Sequence, residues 1–229
     1  IGYVIADTET NKTLVERDYI VEQIWHNIPL FSTAYYADKR PIYVNRMRAR
    51  SVKMNKFGLI CQQMIRDIKQ YEVEIAFAFN SPFDDKVFTF NCDYFKCINP
   101  FDDVPIYDIR GYAHQFLTDT EYIKFCEDNE LFTDSGNYST TAEAYTRYIT
   151  QNIDFVEEHT ALSDSRIELM ILLECLNRGA DINGNYLPKR SITREVKETW
   201  TIKVDRSEVM SISAKSVTVR KANHTITFK

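Results

Sequence analysis

Apolar runs along the chain, and the polar residues that interrupt them, predict an alternation of strands and helices. Residues 2–6 are apolar and β-rich and stop abruptly at Asp7, Thr8 and Glu9, which predicts a buried strand with a polar end. Residues 73–79 are almost continuously apolar, as in a central strand that is covered on both faces. Further strands are predicted at residues 27–36, 41–44 and 104–109.

Helical periodicity begins at Phe57, from which apolar residues recur every three or four positions up to Tyr71. This spacing predicts an amphipathic helix of about four turns. A strand–helix–strand order favours parallel pairing through a right-handed crossover, so we expect an α/β fold. Further helices are predicted at residues 111–117, 120–129, 140–149 and 161–178, with Thr140 and Glu143 as a capping box for the third and Gly179 as the stop of the fourth.

The pattern changes after Pro188, where short runs of alternating apolar and polar residues are separated by polar turns. We therefore expect a main domain at residues 1–188 and a β-rich appendage at residues 189–229. The appendage has a net charge of +6, whereas the whole chain has −5. Such a basic segment can meet phosphates, or it can be a solvated face. Its strands are predicted at residues 199–204, 209–213, 217–219 and 225–228, as a β-meander.

Composition places the chain among ordinary globular proteins, with 44% hydrophobic and 27% charged residues in 229. No apolar run approaches the roughly 18 residues that a membrane span needs, and no signal segment precedes the first strand. We therefore expect a cytoplasmic protein that does not bind a membrane. The five cysteines are expected to be reduced; Cys92 and Cys97 could begin a zinc site, but no second Cys/His pair follows at ligand spacing.

Three short polar motifs carry candidate chemistry, and each has a simple structural explanation when taken alone. Asp7 and Glu9 lie two apart at a strand end, where both carboxylates would project to one side. Asp84 follows the apolar strand at the start of a helix, where it could merely cap that helix. His159 comes just ahead of a helix that has Asp164 in its first turn.

Together the motifs supply what phosphodiester hydrolysis requires. Two cations a few Å apart can stabilise the attacking and the leaving oxygen. Mg²⁺ prefers hard oxygen ligands, and Asp7, Glu9, Asp84 and Asp164 supply four carboxylates. The neutral imidazole of His159 is a suitable base to take a proton from the attacking water.

The three motifs resemble those of the DEDD exonuclease superfamily, which includes the proofreading subunit of bacterial replicative DNA polymerase. The chain resembles the DEDDh branch, because it has a histidine five residues before the last acid. The tyrosine branch has a tyrosine four residues before that acid, where this chain has Thr160. The resemblance covers roughly residues 2–180, and the compact layout is similar to phage-encoded members. The motifs are Asp7-Thr-Glu9, Asn80-x-x-Phe-Asp84 and His159-x-Ala-x-x-Asp164.

This resemblance implies a ribonuclease-H-like fold, with a mixed central sheet flanked by helices. It also implies two Mg²⁺ ions that Mn²⁺ can replace, and stepwise release of nucleoside 5′-monophosphates from a 3′ end. Asp7, Glu9, Asp84 and Asp164 would then bind metal, and His159 would be the general base. The expected substrate is single-stranded or frayed DNA, with a DNA polymerase as a conceivable partner. A phage-encoded member would act in the host cytoplasm.

Residues next to these motifs would hold the terminal nucleotide. They are chosen only because of their positions in the sequence. Phe83 is alternatively a core anchor for Asp84, and Tyr138 and Tyr145 either stack on bases or belong to the core. Three departures from the family pattern affect this region, since Asn11, Phe79 and Thr160 stand where many relatives have Gly, His and Arg. The candidates for substrate binding are Thr8, Thr10, Phe79, Asn80 and Phe83.

Three alternatives remain open at this point. An exoribonuclease of the same branch would differ by a contact to the 2′-hydroxyl, which the sequence does not reveal. A catalytically silent nucleic-acid-binding or polymerase-associated scaffold protein would be expected to have lost one of the acids, and here all four are present. A generic α/β domain would have to explain why three motifs occur in order by coincidence.

Overall fold

Two small sheets lie within the first 192 residues of the chain. In the computed structural model, β1 (Gly2–Asp7) and β2 (Lys12–Val21) form an antiparallel hairpin. β3 (Lys53–Asn55) pairs in parallel with the last residues of β2. β4 (Ala76–Ala78) and β5 (Ile106–Asp108) form a separate parallel pair. The chain is therefore α/β, with both antiparallel and parallel pairing.

Helices surround these strands and contribute most of the buried residues. The structure describes residues 1–33, 37–189 and 191–194, together with the backbone of the C-terminal strands. Within these residues no helix is both long and apolar enough to cross a bilayer. The helices are α1 (Glu22–Trp25), α2 (Ile28–Phe31), α3 (Arg40–Arg48), α4 (Phe57–Gln70), α5 (Ser81–Phe95), α6 (Ile109–Phe116), α7 (Thr120–Asp128), α8 (Ala142–Thr150) and α9 (Ala161–Asn177).

The main core lies between α6, α7, α8 and α9 and is rich in tyrosine. Tyr112, Tyr122 and Tyr145 are fully buried, and the rings of Tyr122 and Tyr145 stack with centroids 4.8 Å apart. Their hydroxyls find partners, because Tyr122 donates to the Ser139 carbonyl (2.6 Å) and Tyr145 bonds with the Thr118 hydroxyl (2.8 Å). Buried tyrosines of this kind contribute apolar area and satisfy their polar ends.

Helix α9 runs along strand β1 at very close range. Gly2 has no side chain to separate them, since a Cβ there would lie 2.2 Å from the Leu162 nitrogen. The Ser165 hydroxyl donates to the Gly2 carbonyl (3.1 Å). The neighbouring Arg166 forms a salt bridge with Glu16, which is opposite Val4 in the hairpin. The first turn of α9 therefore lies at the beginning of β1.

The strand β2 was not predicted, because its middle is highly charged. Each of these charges has a partner on a distant element. Arg17 contacts the buried Asp67 of α4 (3.0 Å), and Arg46 of α3 contacts Asp18 (3.1 Å). Burial alone would raise the pKa of Asp67, but hydrogen bonds from Arg17, Tyr3 and Gln63 outweigh it and lower that pKa.

Two of the predicted strands are wrong. Residues 41–44 lie inside helix α3, and residues 27–33 are largely helix α2 and a turn; residues 34–36 fall outside the described residues. Phe31, Tyr43 and Val44 pack instead around Trp25, whose ring meets Phe31 edge-on at 5.4 Å. Ile28 and Leu30 are exposed. Isolated short apolar runs do not distinguish a strand from a short helix.

The other predicted elements of the main unit are confirmed with changed bounds. Helices are found at all the predicted places, and the strands predicted at residues 73–79 and 104–109 are shorter, β4 and β5. The cap of α8 is Thr141, which accepts from the Ala144 N–H (3.1 Å), and not Thr140. Gly179 follows α9 with a φ of +93°, as a helix stop requires.

The C-terminal strands form a compact unit of their own. The chain divides into Ile1–Ile192 and Thr193–Lys229. The described backbone of the second unit pairs differently from the predicted meander, in which each strand pairs with the next. Its first strand pairs with its last, and the two middle strands pair with each other. The strands are β6 (Trp200–Arg206), β7 (Val209–Ser213), β8 (Ser216–Val219) and β9 (Ala222–Phe228).

Candidate functional site

An acidic cluster with one histidine lies at the start of helix α9. Glu157, His159 and Asp164 each place a ligand atom within 4.8 Å of the other two. His159 Nδ1 lies 3.7 Å from Glu157 Oε2. Burial raises the pKa of Asp164 to about 6, and the negative charge of Glu157 adds to this effect while His159 opposes it. The cluster thus holds two carboxylates whose charges are not fully neutralised by the protein.

The segment before α9 is held in place from two directions. On one side, Glu143 of α8 accepts a hydrogen bond from the Glu157 N–H (2.8 Å) and pairs with Arg147. On the other side, Glu158 accepts hydrogen bonds from Arg46 (2.7 Å) and from the Thr160 hydroxyl (3.1 Å). These contacts flank His159 on both sides in the chain.

The backbone of His159 is itself unusual. Its φ of +55° lies in the left-handed region, which residues other than glycine adopt uncommonly. The next residue, Thr160, is completely buried, and the N–H of Ala161 donates to the Tyr43 hydroxyl (3.1 Å). The surroundings therefore impose this conformation, as is frequent at functional sites.

A fourth group, Glu168, extends the cluster by one turn of α9. It accepts a hydrogen bond from the Phe79 N–H (3.2 Å), directly after strand β4. Burial is the largest cause that raises the pKa of Glu168 to about 8, and the charges of Asp84, Asp164 and Glu157 raise it further. Glu168 therefore lies among the acids of the second and third motifs.

The second motif folds into a tight turn at the start of α5. Asn80 has left-handed φ and ψ of 70° and 47°, and its N–H donates to Asp108 Oδ1 (2.9 Å) at the end of β5. The same oxygen accepts from the Arg110 N–H (2.9 Å), which caps α6. Asp84 lies in the first turn of α5 as an exposed residue. Desolvation of its carboxylate by the neighbouring protein atoms, and then the charge of Asp108, raise its pKa.

The first motif adopts a different local structure from the predicted one. Strand β1 ends at Asp7, so Glu9 lies in an exposed turn and not on the strand. The Asp7 carboxylate accepts from the Thr10 hydroxyl (2.7 Å), the Thr10 N–H (3.2 Å) and the Glu9 N–H (2.9 Å). These hydrogen bonds, that of the Thr10 hydroxyl above all, lower the pKa of Asp7.

The structure does not bring Asp7 and Glu9 to the cluster on α9. Asp164 belongs to the turn of α9 that contacts Gly2, whereas Asp7 is at the other end of β1. At a rise of about 3.3 Å per residue the strand is roughly 17 Å long, several times the separation that two ligands of one metal allow. Of the predicted site residues, His159 and Asp164 lie together, and Asp84 is near enough to Glu168 for its charge to raise the pKa of that residue. The roles of Asp7 and Glu9 remain predictions.

The residues at the cluster fit a hard divalent cation. Asp164 Oδ1 is buried and, within the part of the chain that the structure describes, accepts no hydrogen bond. Asp108 Oδ2 is in the same situation. Unpaired buried carboxylate oxygens are costly, and a cation bound by Asp164 together with a neighbouring carboxylate would satisfy the first of them. The raised pKa values of Asp164 and Glu168 have the same physical origin, burial together with an excess of negative charge.

The candidate substrate-binding residues are scattered around the two motifs. Thr8 is half-buried and Thr10 is exposed, beside Asp7. Phe79 is half-buried against Tyr145, with ring centroids 6.4 Å apart, and Asn80 is exposed. Phe83 is 62% exposed, so its interpretation as a core anchor is wrong. Tyr138 and Tyr145, by contrast, are buried in the main core.

Sequence reasoning missed Glu157, Glu168 and Asp108. Glu168 has a sequence signal, because it lies four residues after Asp164 and so on the same face of one helix. Asp108 has one as well, since it lies near the end of a predicted strand as Asp7 does. Glu157 has none, because its place next to His159 depends on the hydrogen bond from its N–H to Glu143.

The chain was compared with known proteins at the level of families, sequences and folds. No protein-family model, no curated protein and no solved structure matches it. The candidate site therefore stands on its own geometry, and on the resemblance of its motifs.

Proposed function

We propose that the chain is a metal-dependent nuclease that removes nucleotides from the 3′ end of single-stranded or frayed DNA. The observation that carries this proposal is the cluster of Glu157, His159 and Asp164, with Asp84 and Glu168 beside it. A histidine among several carboxylates is the donor set of a site that activates water next to a divalent cation. The proposal includes Mg²⁺ as the natural ion, with Mn²⁺ as a substitute.

In this site His159 acts as the general base. The Glu157 carboxylate lies near Nδ1 and favours a proton on that nitrogen, which leaves Nε2 basic. Nε2 can then take a proton from a water molecule whose oxygen attacks the phosphorus of the terminal phosphodiester. The P–O3′ bond breaks, and the 3′ oxygen of the shortened strand leaves and takes up a proton. Glu157 stabilises the imidazolium that results. A cation bound by Asp164 and its neighbours would stabilise the negative charge that grows on the phosphate oxygens.

Helix α5 offers a surface for the DNA strand. Asp84 lies in its first turn, and the same helix carries exposed aromatic residues. Phe83, Phe90 and Tyr94 are each more than 60% exposed, and the rings of Phe90 and Tyr94 are nearly parallel (13°) at 6.3 Å. Bases of single strands stack on such rings without sequence preference. A single strand bound along α5 would pass Asp84 at the start of the helix.

We further propose that the main unit is a variant of the ribonuclease-H-like arrangement. The support is the antiparallel hairpin of β1 and β2, the parallel pair of β4 and β5, and the final helix α9 along β1. In this arrangement the acids come from α5, from the segment before α9 and from α9 itself.

The first test is a cleavage assay on one sequence as single-stranded DNA and as RNA, labelled at the 5′ end or at the 3′ end. With Mg²⁺ or Mn²⁺ we expect products that shorten from the 3′ end, and with EDTA none. Faster cleavage of RNA would favour the exoribonuclease alternative. Binding of both strands without any cleavage would favour the scaffold alternative and would refute the proposal.

Variants then locate the chemistry. Asp164→Asn and His159→Gln should each lower kcat by at least about a hundredfold, because they remove a ligand and the base. Asp7→Asn should have the same effect if the prediction from the resemblance holds, and little effect if the acids around Glu168 suffice. Glu121→Gln, on the exposed face of α7, is the matched control. Full activity of the Asp164→Asn variant would refute the assignment of the site.

A further inference from the structure

Three cysteines that are far apart in sequence meet between α4 and the end of α5. Cys61 lies on α4, Cys92 on α5, and Cys97 follows the left-handed C-cap Lys96 of α5. Their sulfur atoms all lie within 4.8 Å of one another, and the Sγ atoms of Cys61 and Cys97 are 3.9 Å apart. All five cysteines of the chain are free, but only these three form such a group within the described residues.

The sulfur atoms are as far apart as thiolate ligands of one metal ion. Zinc–sulfur bonds of about 2.3 Å place two thiolates roughly 3.8 Å apart in a tetrahedral site and roughly 4.0 Å apart in a trigonal one. The observed 3.9 Å between Cys61 and Cys97 lies between these values. A disulfide would require an S–S distance of about 2.05 Å and would leave the third thiol unused.

The surroundings of the three sulfurs favour a structural site. Cys61 and Cys92 are buried (1% and 4% exposed), and the ring of Phe57 packs with them in the same small core. Cys97 is half-buried and gives access from the solvent. Three thiolates with a divalent ion leave one negative charge in this apolar pocket, and with a monovalent ion they leave two, which costs more.

We propose that Cys61, Cys92 and Cys97 bind a thiophilic divalent cation of the zinc class, with water in the fourth position on the side of Cys97. Soft thiolates select such an ion, whereas the oxygen-rich cluster on α9 selects a hard one. The bound ion joins α4 to the C-terminal end of α5, the helix that has Asp84 in its first turn. It releases the thiol protons to the solvent when it binds.

Cobalt is the probe that separates this site from the acidic cluster. The full-length protein is reduced, treated with chelator and titrated with Co²⁺ and then with Zn²⁺. We expect a thiolate-to-cobalt charge-transfer band that saturates near one equivalent and disappears when Zn²⁺ is added, because carboxylates produce no such band. Zn²⁺ should also raise the Tm of the protein.

Matched variants test the ligands one by one. Cys97→Ser should lower the affinity for Zn²⁺ by roughly a hundredfold and remove the rise in Tm. Cys126→Ser, at a buried cysteine of another helix, should change neither. Cys61→Ala is the second variant, and circular dichroism shows whether each variant is folded. Asp164→Asn should leave the cobalt band unchanged.

Three results would overturn the proposal. The first is no charge-transfer band at a large excess of Co²⁺ while all five thiols react with a thiol reagent, which would make the group three reduced core residues. The second is a band of full intensity in the folded Cys97→Ser variant. The third is a Cys61–Cys97 disulfide found by mass spectrometry in protein purified without reductant.

Discussion

Replacement of Glu168 by glutamine should make the metal-free protein more stable, and the gain should grow with pH. Burial and neighbouring acids raise the pKa of Glu168 from 4.5 to about 8 in the folded chain. The folded state therefore binds this proton more tightly than the unfolded state does, and stability falls as pH rises between these two values. A glutamine side chain cannot ionise, and it can still accept the hydrogen bond from Phe79.

The magnitude follows from the two pKa values. At about 1.36 kcal/mol for each pH unit, the full penalty above pH 8 is at most about 5 kcal/mol, and at pH 5.5 it is about 1.4 kcal/mol. The advantage of Glu168→Gln should thus increase by up to about 3 kcal/mol between pH 5.5 and pH 9. For a chain of this size that is a difference in Tm of roughly 6–12 °C.

The assay is thermal unfolding of both proteins in EDTA at several pH values, followed by circular dichroism. Groups that titrate equally in both proteins cancel in the difference. Saturating Mg²⁺ or Mn²⁺ should stabilise the wild-type protein most at high pH, because a cation offsets the charge of ionised Glu168. The exposed Glu121→Gln variant is the control. A stability difference that does not change with pH would refute the reasoning.

Three other perturbations test separate parts of the structure. Asp67→Asn should lower the free energy of unfolding at pH 7 by about 2 kcal/mol in urea titrations, and the loss should vanish at low pH, since the folded pKa of Asp67 is lowered and its ion pair exists only above it. Phe90→Ala combined with Tyr94→Ala should weaken binding of single-stranded DNA at least about tenfold in fluorescence anisotropy, whereas Leu187→Ala, at an exposed apolar residue outside the candidate site, should not. Deletion of residues 193–229, which are net basic, should weaken that binding and flatten its dependence on salt; an unchanged salt slope would assign the C-terminal unit another role.

The local pattern of apolar and polar residues was sufficient to predict helices α4 and α9 and strand β1. The amphipathic spacing from Phe57 and the apolar run of α9 before Gly179 each depend on neighbours within a few turns. Short-range periodicity and stop signals act there without help from distant residues. The motifs around Asp84 and His159 were recognisable for the same reason, since each is a contiguous stretch at a helix start.

Other features depend on contacts between residues far apart in the sequence, and only the tertiary structure shows them. Strand β2 exists because Arg17, Asp18 and Glu16 find partners on α4, α3 and α9, and no local pattern reveals such partners. The membership of the candidate site depends on contacts of the same kind. Glu157 is placed by α8, and the path of α9 along β1 separates Asp164 from Asp7. Sequence determined which residues can do chemistry, and packing over long separations determined which of them lie close enough to act together.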